Sequence, residues 1–248
     1  MRNICCYSIR TACLLLLALS AASLAKAQRT PPDAPTAPQV FREDIEWLDI
    51  WMPDSKVTNL PRVLLIGDSI TRAYNPEVEA ALRGKAVVFR LATSKCAGDP
   101  VLAEEVSLIL RQYPFDVIHF NNGIHGPEYS DEAYGQGLRD LIAILRKYDP
   151  KAQLLWAATI PIRVKGQVDQ LDPSNARAVR RNVLAAAIMK QSGIPTDDLY
   201  NLVLEHPEYY KPDGVHFNEK GIEVEAKEVA GRIAELLPEK PQPASSSR

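Results

Sequence analysis

Four short apolar runs, residues 63–66, 87–91, 117–120 and 154–158, recur along the chain and are broken only by Arg90 and His119. Runs that are continuously apolar, rather than alternating, mark strands covered on both faces. Helical spacing fills the gaps. Leu102, Val106, Ile109 and Leu110 share one face of a first stretch. Leu138, Leu141, Ile142 and Leu145 share that of a second, with Ser130 as its N-cap. A third stretch begins near Pro173-Ser174 and carries Val179, Val183, Ala187 and Ile188. A fourth, capped by Asn218, carries Val224, Val229, Ile233 and Leu237. A weaker strand is expected near Ile194. Strands alternating with helices predict an α/β fold in three layers, a mostly parallel sheet with helices on both faces.

The ends are of another kind. Arg2 and Arg10 precede an apolar stretch from residue 12 to 25, and Ala25-Lys26-Ala27 forms a small-x-small cleavage pattern. Residues 1–27 therefore read as a secretory signal peptide. The stretch falls short of the ~20 residues a spanning helix needs, so no stable membrane insertion is expected. Cys13 sits at the start of that stretch rather than after it, which argues against a lipid anchor. The expected location is secreted or periplasmic, after cleavage near Ala27. Cleavage leaves 26 basic against 31 acidic residues, a net charge of −5, and leaves Cys96 as the only cysteine. No disulfide within the chain is expected, and no basic patch interleaved with aromatics points to nucleic acid.

Residues 28–60 form a proline-rich linker followed by an arm. Its Trp47, Leu48, Ile50, Trp51 and Met52 are too apolar for a free tail, so a short helix or arm packed on the domain edge is expected. Trp47 and Trp51 are expected to serve as packing rings, with carbohydrate stacking as the alternative. The core domain spans residues 61–237, and residues 238–248 read as a disordered tail.

Two motifs carry chemistry. Gly67-Asp68-Ser69-Ile70-Thr71 follows the first apolar run, which puts Ser69 at the carboxyl end of a buried strand, where α/β sheets bind ligands. Gly67 permits a tight turn, and a helix starting there would aim free N–H groups at developing negative charge. Thr71 stands where the nucleophile elbow of the α/β-hydrolase fold has its second glycine, which argues against that fold. Asp213-Gly214-Val215-His216 precedes the last helix. A serine hydroxyl needs an imidazole to take its proton, and the imidazole needs a carboxylate to hold its tautomer. Ser69, His216 and Asp213 are the candidate nucleophile, base and orienting acid.

These two blocks resemble the SGNH (GDSL-type) hydrolase family, whose serine motif lies early in the domain and whose Asp-x-x-His motif lies late. The resemblance covers roughly residues 61–237. It implies a flavodoxin-like sandwich with a five-stranded sheet, ester hydrolysis without metal or cofactor, and an oxyanion hole with three donors. Two of these fall on the Ser69 N–H and on the N–H of Gly98, in Gly98-Asp99 beyond the second strand. The family's third donor is the asparagine of a Gly-x-Asn-Asp block. Here Asn121-Asn122-Gly123-Ile124-His125-Gly126 stands instead, so His125 is the first candidate and Asn122, or Asn121, the second. This marks a divergent branch.

The expected activity is a serine esterase acting on short acyl groups, acetyl above all, carried by a small molecule or a glycan. Lysophospholipase or thioesterase action is the alternative within the family. A non-catalytic carbohydrate-binding domain on the same fold is the alternative outside it. Arg163 reads as a solvated loop charge or, failing that, a substrate contact, and Cys96 as a packed spectator thiol. No zinc spacing and no glycine-rich cofactor loop is present in the sequence. Oligomeric state is not legible.

Overall fold

The computed structural model describes residues 39–238. The expected signal peptide, residues 28–38 of the expected linker and residues 239–248 of the expected tail lie outside the described residues.

Five strands run parallel in the order β3-β2-β4-β5-β8: β2 (Arg62–Gly67), β3 (Val87–Thr93), β4 (Val117–Phe120), β5 (Gln153–Ala157) and β8 (Thr196–Asp197). The expected parallel core is present, and β8 begins two residues beyond Ile194. The sheet, however, has six strands and not five. The arm supplies the sixth, β1 (Leu48–Trp51), paired antiparallel to β3 from Leu48 opposite Thr93 to Trp51 opposite Arg90. The arm is thus an edge strand rather than a helix. It also explains the charge that interrupts the second apolar run. Buried Arg90 donates to Asp49 of β1 at 2.6 Å and to Asn75 at 2.6 Å. His119, the other interruption, faces Asp197 of β8 through Nε2 at 3.2 Å.

The two-residue period of a strand divides each apolar run between two cores. Leu64, Ile66, Phe89, Leu91, Ile118, Phe120 and Trp156 face one side. There α2 (Pro100–Leu110), α3 (Asp131–Tyr148) and α4 (Asn175–Ser192) cover them. Val63, Leu65, Val88, Val117, Leu155 and Ala157 face the other, beneath α1 (Ser69–Ala81), α5 (Leu199–Leu204) and α6 (Glu219–Leu236). The caps follow the sequence: the Ser130 side chain accepts from Ala133 N–H and that of Asn218 from Gly221 N–H.

The face expected for α4 holds at Ile188 but not at Val179, Val183 or Ala187. Val179 and Val183 are 41% and 68% exposed, while Ala178, Arg181, Ala185, Ile188 and Met189 point inward. The cause is Arg181, whose guanidinium is drawn inside by a set of backbone carbonyls. A short hairpin, β6 (Arg163–Val164) with β7 (Gln167–Leu171), was also not anticipated, because its outer strand is mostly exposed and polar.

The chain leaves β2 for β3 on one side and returns to β4 on the other. The strand order therefore reverses at β2, and its carboxyl end is the switch point where such sheets bind ligands. Ser69 lies there.

Candidate active site

Ser69 is held by the strand before it and the helix after it. Buried Asp68 is the N-cap of α1, its Oδ1 accepting from Ile70 N–H at 2.9 Å. Burial pushes the Asp68 carboxyl up, against the lowering effect of His125. A side chain at Gly67 would collide with that of Thr71, so the turn closes only with glycine. Ser69 is the first residue of α1, and its N–H is one of the helix donors that no intrahelical carbonyl can satisfy.

The distal motif reaches it from the loop before α6. His216 Nε2 lies 2.9 Å from Ser69 Oγ, and His216 Nδ1 lies 3.1 Å from Asp213 Oδ2. The other oxygen, Asp213 Oδ1, accepts from the N–H groups of Val215 and His216, both at 2.8 Å. Partial burial works against the Asp213 carboxylate, but these two N–H bonds and the imidazole outweigh it and hold the group below the usual aspartate range. One carboxylate thus builds the turn and orients the ring. Gly214 has φ +78°, and a side chain there would collide with the Arg163 carbonyl.

Arg163 is neither a solvated charge nor a substrate contact. It is 4% exposed. Its N–H donates to Gly214 O at 2.8 Å, and its guanidinium donates to Val168 O at 2.9 Å and to Leu204 O while lying over the Tyr210 ring. Gly166 N–H donates to Pro212 O at 2.7 Å. The β6–β7 hairpin therefore braces the loop that carries Asp213 and His216.

The loops after β3 and β4 hold the remaining candidates. A side chain on Gly98 would meet the Tyr129 ring, and the Gly98 N–H lowers the pKa of the Cys96 thiol. Burial outweighs that and pushes the thiol up, which fits an unreactive, packed Cys96. Asn122 ties the two loops together: Nδ2 donates to Lys95 O and Oδ1 accepts from Ala97 N–H, both at 2.8 Å. Asn121 donates to Ala157 O at 2.7 Å. Both carboxamides are engaged in backbone bracing. His125 is 18% exposed at its side chain, and its Nδ1 faces the Glu43 carboxylate at 2.9 and 3.0 Å.

Sequence reasoning missed two groups here. Arg181, fully buried, donates to the carbonyls of Gly123 (2.9 Å), His125 (2.7 Å) and Gly126 (2.7 Å), and its guanidinium lies over the Tyr134 ring. The spacing Ala178, Arg181, Ala185, Ile188 is itself a helical stripe, and an arginine within such a stripe was the available signal. Glu43 left no signal, since an acid in an arm has no periodicity to violate. Of the two tryptophans, Trp47 is half-buried under the Arg72 guanidinium at 4.8 Å, whereas Trp51 is 53% exposed on β1 and does not pack as expected.

Beneath the site Glu225 of α6 is fully buried and neither carboxylate oxygen has a hydrogen-bond partner among the described residues. Burial, reinforced by Asp68 and Asp197, drives its carboxyl well above the usual glutamate range. The folded chain keeps a proton there that the unfolded chain releases above its ordinary pKa, so stability falls as pH rises from that value toward the folded one. Glu225→Gln removes this loss. Its thermal midpoint is expected to exceed that of wild type by about 2–4 °C at pH 7, the shift that ~1 kcal/mol gives in a domain of this size. The gap should close near pH 4, where both states of the wild type hold the proton. Calorimetry at the two pH values checks this.

Solved structures match this architecture. The native M. smegmatis aryl esterase matches with a TM-score of 0.60 at 15% identity, covering 71% of this chain and 100% of its own. A GDSL-like lipase from Bacteroides thetaiotaomicron matches at 0.55 and 13%, covering 73% and 93%. The chain has the SGNH hydrolase fold. An acetyl xylan esterase, AlAXEase, matches at 0.56 and 16%, covering 69% and 99%. No protein-family model and no curated protein sequence matches the chain. Ser69 stands at the carboxyl end of β2, and the Asp213–His216 turn meets it there. Among the described residues no cluster of His, Cys, Asp and Glu fits a metal ion, and no helix is long and apolar enough to cross a membrane.

Proposed function

We propose that this protein is an exported serine esterase that removes short acyl groups, acetyl first, from carbohydrate. The observation that carries the reading is the unbroken hydrogen-bonded line from Ser69 Oγ through the His216 ring to Asp213. Ser69 Oγ attacks the ester carbonyl carbon while its proton passes to His216 Nε2. The carbonyl π pair moves onto oxygen, and Asp213 steadies the resulting imidazolium. The Ser69 N–H and the His125 ring meet the oxyanion, while the Gly98 N–H is turned to the Cys96 thiol, and the loss of one such donor typically costs ~10²–10³ in turnover. Collapse expels the sugar alkoxide, which takes the proton from His216. Water activated by His216 then releases the acid and restores Ser69.

Exposed groups flanking the nucleophile, Arg72, Asp213 and the edge of His216, are polar. That suits a hydrophilic ester better than a lipid, whose hydrolysis calls for an apolar rim. AlAXEase, named as an acetyl xylan esterase, shares the fold. The test is acetate release from a panel of acetylated polysaccharides, with a lysophospholipid and an acyl thioester as comparators. Acetate release exceeding both comparators is expected. Preference for either comparator would move the reading to the lipid or thioester class, and inactivity on every ester would leave a binding domain.

A further inference from the structure

The N-terminal arm reaches the loops of the proposed oxyanion hole from outside the sheet. At the 94–99 loop Ser94 N–H donates to Trp47 O at 3.2 Å and the Ser94 hydroxyl accepts from Trp47 N–H at 3.1 Å, while Arg42 pairs with Asp99 and Lys95 with Glu46. At the 121–129 loop, Phe41 N–H donates to the Tyr129 hydroxyl at 3.0 Å. Glu43 accepts there from Gly126 N–H at 3.0 Å and faces His125 Nδ1. The same loop is held from inside by Arg181. Trp47 lies edge-on to the His125 ring, centroids 6.2 Å apart.

A carboxylate only accepts, so the His125 Nδ1 facing it carries a hydrogen. A neutral imidazole has one N–H, and Glu43 takes it. His125 can then donate to an oxyanion from Nε2 only as the imidazolium, which uses both N–H groups at once. Resting on the esterase reading above, we infer that Glu43 is a positioning residue of this site: it orients His125 and lets the ring meet the oxyanion as a cation. The site then holds two imidazole–carboxylate pairs with opposite tasks. His216 with Asp213 presents a lone pair to Ser69 and takes a proton, whereas His125 with Glu43 presents an N–H and keeps it. The charged groups around His125 are Glu43 from the arm, Asp68 from the serine turn, Arg181 from α4 behind its carbonyl, and Arg72 from α1 across the Trp47 ring.

Steady-state kinetics on p-nitrophenyl acetate and imidazole ¹⁵N NMR of the full mature chain test this. Glu43→Gln keeps an acceptor and loses the charge. Its kcat is expected to fall about 10–100-fold, the range seen when a carboxylate behind a metal-bound histidine is removed, with KM within about threefold and the thermal midpoint unchanged. His125→Asn, a neutral donor, should retain more activity than His125→Ala, and adding Glu43→Gln to it should change little, since the two act as one unit. In the tetrahedral adduct of a fluorophosphonate on Ser69, both His125 nitrogens should be protonated in wild type and only one in Glu43→Gln. An active enzyme whose kcat is indifferent to Glu43, or whose adduct holds a neutral His125, overturns this inference and leaves the esterase reading standing. A wild type that neither hydrolyses esters nor takes up phosphonate overturns both.

Discussion

Ser69→Ala is expected to lower kcat for p-nitrophenyl acetate by about 10⁴-fold or more, the scale on which a triad serine fails, because its partners have nothing else to activate. The fold should be untouched. The Ser69 hydroxyl makes its one side-chain bond to His216, and the turn around it is built by Gly67, Asp68 and Thr71. Calorimetry should therefore give a wild-type midpoint while turnover disappears, and fluorophosphonate labelling should be lost with it. A variant that kept the wild-type rate would move the chemistry away from this serine, whatever the fold. Cys96 does not offer a substitute nucleophile, since it is buried and its thiol is pushed up.

The second large effect falls on stability. Arg181→Ala removes a buried cation that satisfies three carbonyls of one loop, and it leaves a cavity under Tyr134. Each buried carbonyl left without a donor costs about 1–3 kcal/mol, so the set together costs about 3–5 kcal/mol once the loop relaxes in part. In a domain of this size that lowers the thermal midpoint by roughly 6–15 °C. Turnover should fall as well, because the loop carrying His125 loses its inner support. Arg181→Lys should rescue little: an ammonium is a point donor and cannot span carbonyls that a planar guanidinium reaches together. Equal midpoints for wild type and Arg181→Ala in a thermal melt would show the loop to be held from the arm side alone.

How much of this was legible in the chain follows the range of the forces involved. Apolar runs are local, and burial on both faces leaves an unbroken mark on the sequence, so the parallel strands and most helices could be read directly. Caps such as Ser130 and Asn218 are local too. The contact of Ser69 with His216, and of His216 with Asp213, could be anticipated because each half of it sits in a short motif. Where reading failed, a distant group had overruled a local pattern. Val179 and Val183 belong inside by hydropathy, yet three carbonyls some fifty residues away outbid them for that face of α4 by drawing Arg181 in. Arg163 reads as a surface charge until the Val168 and Leu204 carbonyls and the Tyr210 ring take its guanidinium.

By itself, then, the sequence determined the layers, the place of Ser69 at the end of β2 and the meeting of Asp213 with His216 across one glycine turn, all of which follow from short-range pattern and chemistry. Only the tertiary structure decided that the arm becomes a sixth strand, that the two carboxamides at 121 and 122 brace backbone, and that Glu43 stands behind His125. Such contacts join residues far apart in the chain through single hydrogen bonds. Nothing in composition or period records a bond of that kind, because its partners meet only after the core has closed.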